Sequence, residues 1–107
     1  MISVTIRYGA RNDYYQTVKD AEAAMLPCPV CGAKGKIKET DEDDNGNIWW
    51  MAECPKCGAH TCDAGFPRLF PVVQDWNTCG GCGVKDRDGK SAPRREWPDD
   101  PHWHFEP

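Results

Sequence analysis

The sequence of this 107-residue chain has no long hydrophobic run, and apolar residues are scarce. Hydrophobic residues make up 39% of the chain, and no segment approaches the roughly 20 apolar residues that a membrane-spanning helix needs. The first residues, MISVTIRYGARNDYYQ, contain no basic region followed by an apolar stretch, a pattern that predicts no secretory signal. We therefore expect a cytoplasmic protein with no membrane partner.

Two further features that the sequence lacks bear on function. It contains no P-loop and no glycine-rich dinucleotide-binding motif. Its formal net charge is −4, whereas proteins that bind nucleic acids usually carry a basic face. Direct binding of nucleic acid is therefore not favoured, although a local basic patch would still permit it.

Cysteine, by contrast, is abundant, with seven copies. A chain of this length buries a modest core and often needs disulfides or a structural metal to fold. Seven is an odd number, six of the cysteines form three C-x2-C pairs, and disulfides rarely persist in the cytosol. These features predict a metal, and zinc in particular, rather than a disulfide framework.

Two of the cysteine pairs predict a zinc site made of four thiolates. Cys28 and Cys31 belong to a first cysteine turn (residues 28–35), and Cys54 and Cys57 to a second (residues 54–59). Two intervening residues let a tight turn present both sulfurs to one ion, and the glycine that follows permits positive φ. A strand–turn–strand pattern joins the turns, which predicts a zinc ribbon, the rubredoxin-like arrangement. Four cysteines leave no position open for water, so we expect no catalytic residue and no enzymatic activity.

The third pair, Cys79 and Cys82, leaves an alternative open. It has the same spacing and flanking glycines, so it could contribute to a second zinc site. The other candidate ligands for that site are Cys62, His60, His102 and His104. In the competing interpretation, Cys79 and Cys82 are free or transiently paired and Cys62 is a buried strand residue. The expected cofactor is therefore one zinc ion, with a second left open.

The patterns predict a small zinc-stabilised α+β fold in three segments. Residues 1–27 form a strand–helix extension, residues 28–83 hold the ribbon with a short helix and the third cysteine pair, and residues 84–107 form a polar, proline-rich tail that is expected to be mostly disordered. The predicted elements are a strand over 2–8, a helix over 13–25, strands over 36–40, 48–53 and 60–63, and a helix over 71–77 with Pro71 in its first position. An acidic hairpin tip is expected over 41–47.

The tryptophans are the second group of residues that the sequence singles out. Trp49 and Trp50 are adjacent in the strand predicted over 48–53, so their side chains should alternate between the two faces. One ring should pack on the ribbon, and the other should face outward or lie under the N-terminal helix. Trp97, with Trp103 and Phe105, is unusual in a polar tail and could dock on the domain or on a partner.

The centre of the chain resembles the Lar family of restriction alleviation proteins of phages, prophages and bacteria. The resemblance covers residues 26–77. It rests on three pieces in a fixed order: Leu26-Pro27-Cys28-Pro29-Val30-Cys31-Gly32, then Cys54-Pro55-Lys56-Cys57-Gly58-Ala59 after a tryptophan-bearing hairpin, then Trp76-Asn77 closing a short helix. The resemblance implies that Cys28, Cys31, Cys54 and Cys57 are the zinc ligands. It also implies a non-enzymatic protein that dampens type I restriction by contacting the restriction–modification system.

The leading hypothesis is therefore a protein-binding modulator of restriction whose partner is a restriction–modification subunit. The alternative is a zinc ribbon associated with nucleic acid, acting as a transcription or DNA-processing accessory. That alternative depends on Lys34, Lys36, Lys38 and Lys56 forming a basic patch and on an exposed tryptophan that stacks on bases. A small redox or metal-transfer protein is a third hypothesis.

Overall fold

A computed structural model describes residues 14–40, 48–81 and 83–98. Its elements, in chain order, are α1 (Val18–Ala24), β1 (Lys36–Glu39), β2 (Trp50–Glu53) and α2 (Leu69–Thr78). The predicted α+β class is confirmed. The strand predicted over 2–8 and the hairpin tip predicted over 41–47 lie outside the described residues. Within the described residues, no helix combines the length and apolar content that crossing a membrane would require.

Helix α1 is shorter than the helix predicted over 13–25. It begins after Thr17, whose hydroxyl accepts a hydrogen bond of 3.1 Å from the amide of Asp20. This N-cap satisfies an amide that has no partner within the helix, which explains why the helix begins there. Before it, Tyr15 is buried and stacks on Phe70 of α2, with 6.1 Å between ring centroids. Tyr15 therefore contributes to the core from a position before the helix.

The two strands pair antiparallel, with Lys36 opposite Glu53 and Glu39 opposite Trp50. The predicted strands over 36–40 and 48–53 therefore form at nearly the predicted positions. Ile37 and Ala52 lie opposite each other and are both buried, whereas Lys36 and Lys38 are exposed. This alternation places one face of the pair against the core.

The third strand predicted over 60–63 does not form. His60 makes an isolated bridge with Glu53, and Phe66 makes another with Trp50, while the amide of Gly65 donates to the carbonyl of Cys62 at 3.0 Å. A turn therefore interrupts the segment between its two points of contact with β2. Gly65 has φ of +78°, and a Cβ there would lie 3.0 Å from the carbonyl oxygen of Trp50, so a larger residue would not fit this close approach.

Helix α2 supplies more residues to the core than any other helix or strand of the described structure. It starts two residues earlier than predicted, and Pro71 is its third residue rather than its first. A proline is tolerated there because the amides of the first turn have no acceptor within the helix. Val72, Val73 and Trp76 are all fully buried, so this helix presents one face to the core. The helix packs against α1 and β2.

Residues 84–98, part of the tail that is expected to be mostly disordered, pack against the rest of the domain. Val84 is fully buried and Trp97 is 7% exposed. Lys85 bridges to His60 and to Ser91, and the amide of Ala92 donates to the carbonyl of Val84 at 2.7 Å. The segment therefore extends the sheet edge as a narrow hairpin, and Trp97 then packs against Phe70 with ring centroids 6.0 Å apart. The composition indicates a loop here, but it does not reveal that Val84 and Trp97 are buried.

Candidate metal centre

The two cysteine turns fold with the same backbone hydrogen bonds. In the first turn, the amide of Cys28 donates to Ala33 at 2.7 Å and that of Gly32 to Cys28 at 2.9 Å. In the second turn, Cys54 donates to Ala59 at 2.7 Å and Gly58 to Cys54 at 2.9 Å. The matching glycines have φ of +80° and +84°. The C-x2-C-G spacing thus produces the same local geometry twice, as the sequence predicted.

Strand pairing brings the two turns together, because the first precedes β1 and the second follows β2. The sulfur of Cys31 lies 3.5 Å from that of Cys54, and the sulfur of Cys28 lies 3.6 Å from that of Cys57. All four sulfurs lie within 4.8 Å of one another. Tetrahedral zinc at about 2.3 Å from each thiolate would separate the sulfurs by about 3.8 Å. The donor set and its spacing therefore fit one tetrahedral metal ion, as predicted.

The four sulfurs differ in their access to solvent. Cys54 is fully buried and Cys28 is 4% exposed, whereas Cys57 is half-buried and Cys31 is exposed. The buried pair opens each turn, where the chain leaves the core. The exposed side is bordered by Val30, which is 46% exposed, and by the loop at Arg87. The cluster therefore has an inner side packed on the core and an outer side facing water.

The surroundings perturb the thiols in different directions. Burial raises the pKa of the Cys28 thiol, and burial together with the neighbouring sulfurs raises the pKa of Cys57 to about 12. Burial also acts to raise the pKa of Cys54, but hydrogen bonds from the backbone of Cys57 and Lys56 outweigh it and lower that pKa to about 7. Amide donors of this kind favour the thiolate, which is the form that binds a metal.

Helix α2 holds the chain that leads into the first cysteine turn. The indole nitrogen of Trp76 donates to the carbonyl of Leu26 at 2.8 Å. The side chain of Asn77 accepts from the amide of Leu26 at 2.7 Å and donates to the carbonyl of Ala24 at 2.9 Å. Three hydrogen bonds thus fix the approach to Cys28. Trp76 and Asn77 therefore position the first cysteine turn, although they lie about 50 residues away from Leu26 in the sequence.

Arg95 completes this support, and the sequence analysis missed it. Its guanidinium donates to the carbonyls of Pro27 at 2.6 Å, Trp76 at 3.0 Å and Asn77 at 3.2 Å. Two of these acceptors are in the last turn of α2, where carbonyls lack partners within the helix and a cation is favoured by the helix dipole. Arg95 follows its acceptor Pro27 by 68 residues in the sequence, so no local sequence pattern indicates this contact.

A second residue that the sequence did not reveal is Arg87. It donates from Nε to the carbonyl of Cys57 at 3.2 Å. Its loop is shaped by Asp86, whose carboxylate accepts from the amides of Asp88 and Lys90, both at 2.9 Å. The sequence D-R-D-G-K indicates such an aspartate turn. It does not indicate that this turn lies over the second cysteine turn.

The residues proposed for a second metal site have other roles in the described structure. Cys62 is disulfide-bonded, so its sulfur is not available as a thiolate ligand in this form. Cys79 is a buried thiol at the end of α2 whose sulfur lies 3.8 Å from the carbonyl of Trp76, and burial raises its pKa. His60 contacts the carbonyl of Gly58 at 3.0 Å and Asp63 at 3.2 Å. Three residues, Cys82, His102 and His104, lie outside the described residues.

Within the described residues, the four cysteines of the two turns are the only group of three or more potential ligands that lie close together. His60 and Cys62 line a shared surface depression, but Cys79 does not line it. A site drawing on Cys82 stays a prediction that the described residues do not test. The prediction of a metal site rather than disulfides agrees with the sulfur cluster of the two cysteine turns. It did not include the disulfide at Cys62.

The two adjacent tryptophans are placed differently from each other. Trp50 is 4% exposed and packs in the core, and its indole nitrogen has no hydrogen-bond partner among the residues that the structure describes. Trp49 is half-buried. The expected inward ring is therefore present, while the other ring is only partly open to solvent.

Comparison with known proteins identifies no relative of this chain: no family model, no curated protein and no solved structure matches it.

Proposed function

We propose that this chain is a zinc-ribbon protein without catalytic activity that acts by binding a protein partner. The observation that carries the proposal is the cluster of four sulfurs, all within 4.8 Å of one another, supplied by two turns of identical local geometry. Zinc is the metal that four thiolates in a tetrahedral arrangement most often hold in structural sites. Such a site is closed to water, which separates it from catalytic zinc centres with three protein ligands.

The fold around the cluster supports a structural role for the ion. Cys28 and Cys54 are part of the hydrophobic core, together with Trp50 and Trp76. A metal that joins two core residues from opposite ends of a hairpin contributes directly to folding free energy. A domain with two strands of four residues each has little other means of holding the hairpin ends together.

The partner that the resemblance to Lar implies is a subunit of a type I restriction–modification enzyme. The resemblance spans residues 26–77, and its Trp-Asn element is the pair that holds Leu26 before the first cysteine turn. A motif whose side chains brace the metal centre supports a common architecture over that stretch. We propose that this chain, like members of that family, alleviates restriction of unmodified DNA without cutting or modifying DNA itself.

A plating assay tests this function. Unmodified phage is plated on cells that carry a type I system, with and without expression of the protein, and we expect the protein to raise plating efficiency. Cys54→Ser removes a buried metal ligand and should abolish the effect, whereas Cys79→Ser leaves the cluster intact and should retain it. Equal plating with and without the protein, across several type I systems, would contradict the proposal.

Contact with the partner is tested separately by co-purification with the subunits of the restriction enzyme. The run at 41–44 carries four carboxylates and lies outside the described residues. Long-range attraction between opposite charges speeds the association of protein partners. Replacing these four residues by Asn and Ser should slow association and weaken its dependence on salt while the metal content stays at the wild-type value.

Direct binding of nucleic acid is the second candidate, and one observation favours it. Lys34, Lys36, Lys38 and Lys56 are all exposed. Among the described residues, Lys and Arg number eleven and Asp and Glu nine, so the acidic excess of the chain comes from segments outside them. Against this candidate, Lys38 pairs with Glu53 at 3.0 Å, and the ring of Trp50 is buried and unable to stack on bases.

Binding of a short DNA duplex at several salt concentrations separates the two candidates. A protein that contacts phosphates loses affinity linearly on a log–log plot against salt. Tight, salt-sensitive binding that Lys36→Glu weakens would support the second candidate. Weak binding that Lys36→Glu leaves unchanged would remove it.

A further inference from the structure

The four sulfurs of the cluster are not equivalent toward a reagent arriving from solvent. Cys31 is exposed, Cys57 is half-buried, and Cys28 and Cys54 are buried. A small electrophile therefore meets the sulfur of Cys31 first. The depression above the cluster, lined by Val30, Cys31, Lys56 and Cys57 together with 86–88, opens on this side.

Two sulfur contacts of less than 4 Å join one turn to the other. Cys31 faces Cys54 at 3.5 Å, and Cys28 faces Cys57 at 3.6 Å. A disulfide needs a sulfur–sulfur distance of about 2.05 Å, so either pair must close by about 1.5 Å. Each contact also joins a cysteine that is more open to solvent to a buried one, so that a second thiol lies within 3.6 Å of the sulfur that is attacked.

We infer that Cys31 is a modification site for oxidants of the peroxide class, and that the first disulfide formed in the cluster joins Cys31 to Cys54. The inference rests on the proposed zinc occupancy, because a shared ion would hold the four sulfurs in the close arrangement that the structure shows. It differs from the usual expectation for a C-x2-C motif, in which the two cysteines of one motif pair with each other.

The chemistry balances in two steps. The Cys31 thiolate attacks one oxygen of hydrogen peroxide, so that a sulfur–oxygen bond forms, the oxygen–oxygen bond breaks and hydroxide leaves with the electron pair. The Cys54 thiolate then attacks the sulfenic sulfur of Cys31, so that the sulfur–sulfur bond forms and a second hydroxide leaves. Two thiolates are oxidised by two electrons in total, and one peroxide is reduced to two hydroxide ions, which water neutralises.

Loss of the ion follows from this step. After it, Cys28 and Cys57 are the only thiolates left in the cluster, and two ligands do not hold zinc as four do. The remaining pair, 3.6 Å apart, then forms the second disulfide. Cys31 thus makes the metal centre sensitive to peroxide, and oxidation and metal loss occur together.

The sequence is well suited to mapping the first disulfide by trypsin digestion without reduction. Cleavage at Lys56 separates Cys54, in the peptide 39–56, from Cys57, in the peptide 57–68. Cys28 and Cys31 share the peptide 20–34, and fragmentation at the Cys28–Pro29 bond distinguishes them. The zinc-loaded wild-type chain is treated with hydrogen peroxide below one equivalent, quenched by alkylation at set times and digested, while a chromophoric chelator records zinc release.

We expect a cross-link between 20–34 and 39–56 that maps to Cys31, growing with the same rate constant as zinc release. Cys79→Ala should react at the wild-type rate, because Cys79 is buried and outside the cluster. A first cross-link within one turn, or zinc release that precedes any disulfide, would overturn the inference. A preparation with no zinc before oxidation would instead contradict the proposed metal centre, so the two failures are distinguishable.

Discussion

The indole nitrogen of Trp76 donates to the carbonyl of Leu26 at 2.8 Å, two residues before the first cysteine of the metal centre. Trp76 is fully buried, so this hydrogen bond ties the first cysteine turn to the core face of α2. The stability of the core and the geometry of the cluster are therefore coupled.

Asn77→Ala should destabilise the protein and weaken metal binding together. Asn77 is fully buried, and its loss leaves the amide of Leu26 and the carbonyl of Ala24 without partners. We expect a decrease of about 2–3 kcal/mol in the free energy of unfolding. Urea denaturation measures it. Gln74→Ala, on a half-buried position of the same helix, is the matched control and should change stability by less than about 0.5 kcal/mol.

Arg95→Ala should release the segment 84–98 from the domain. The guanidinium has three carbonyl acceptors on two separate elements, and lysine has no geometry that reaches all three. We expect a loss of about 2 kcal/mol and faster proteolysis after Lys90, with Arg95→Lys showing most of the effect. The neighbouring exposed Arg94→Ala serves as control. Wild-type protease resistance in Arg95→Ala would contradict the role we assign.

Gly35→Ala should lower the stability of the protein because the added Cβ has no room. A Cβ at this position would lie 2.6 Å from Cζ2 of Trp76 and 2.7 Å from Cε of Met25. Overpacking of this kind costs about 1–3 kcal/mol and would displace the ring that holds Leu26. Gly89→Ala is the contrast, since its φ is +84° but no atom lies within 4 Å of the added Cβ. Thermal denaturation with metal titration should show reduced zinc affinity for Gly35→Ala only.

Elemental analysis should find one zinc ion per chain. Cys54→Ser should lose it, and Cys79→Ser should keep it, because Cys79 is hydrogen-bonded to Trp76 rather than to the cluster. Chelation at neutral pH should collapse the near-UV circular dichroism of the buried tryptophans Trp50 and Trp76. A second zinc ion that disappears in Cys79→Ser would instead establish the second site that the sequence left open.

Zinc affinity should rise with pH between about 6 and 9. The pKa of the Cys57 thiol in the metal-free chain is about 12, and the pKa of Cys28 is also raised, so both carry protons at neutral pH. Binding displaces those protons, and a process that releases protons is favoured as pH rises. Calorimetry in buffers of different ionisation enthalpy counts the protons released. An affinity that does not change over this range would show that the thiols are already ionised.

The local parts of the structure were predictable from sequence because they depend on short-range chemistry. The C-x2-C-G spacing determines the two cysteine turns, including positive φ at Gly32 and Gly58. The strand–turn–strand pattern between the cysteine turns predicted the strand pair, in which Ile37 lies opposite Ala52. The four candidate ligands followed from these local patterns together with the expectation of a zinc ribbon.

The sequence was least informative where segments that are distant in the chain contact one another. The strand predicted over 60–63 is interrupted because Gly65 turns the chain against Trp50, a contact that no periodicity encodes. The segment 84–98 was expected to be disordered from its composition. It packs on the domain because Val84 and Trp97 enter the core, and because Arg95 donates to three carbonyls of other segments.

By itself, the sequence determined which side chains can hold a metal, since spacing and glycine position decide how a short turn presents its sulfurs. Only the tertiary structure decided which sulfur meets solvent and which sulfurs face each other across the cluster. Cys31 and Cys28 are equivalent in the C-x2-C pattern, yet one is exposed and the other is buried beside Cys57. The physical reason is that exposure and pairing depend on how β1, β2 and α2 pack around the two turns, and packing is a property of the whole chain.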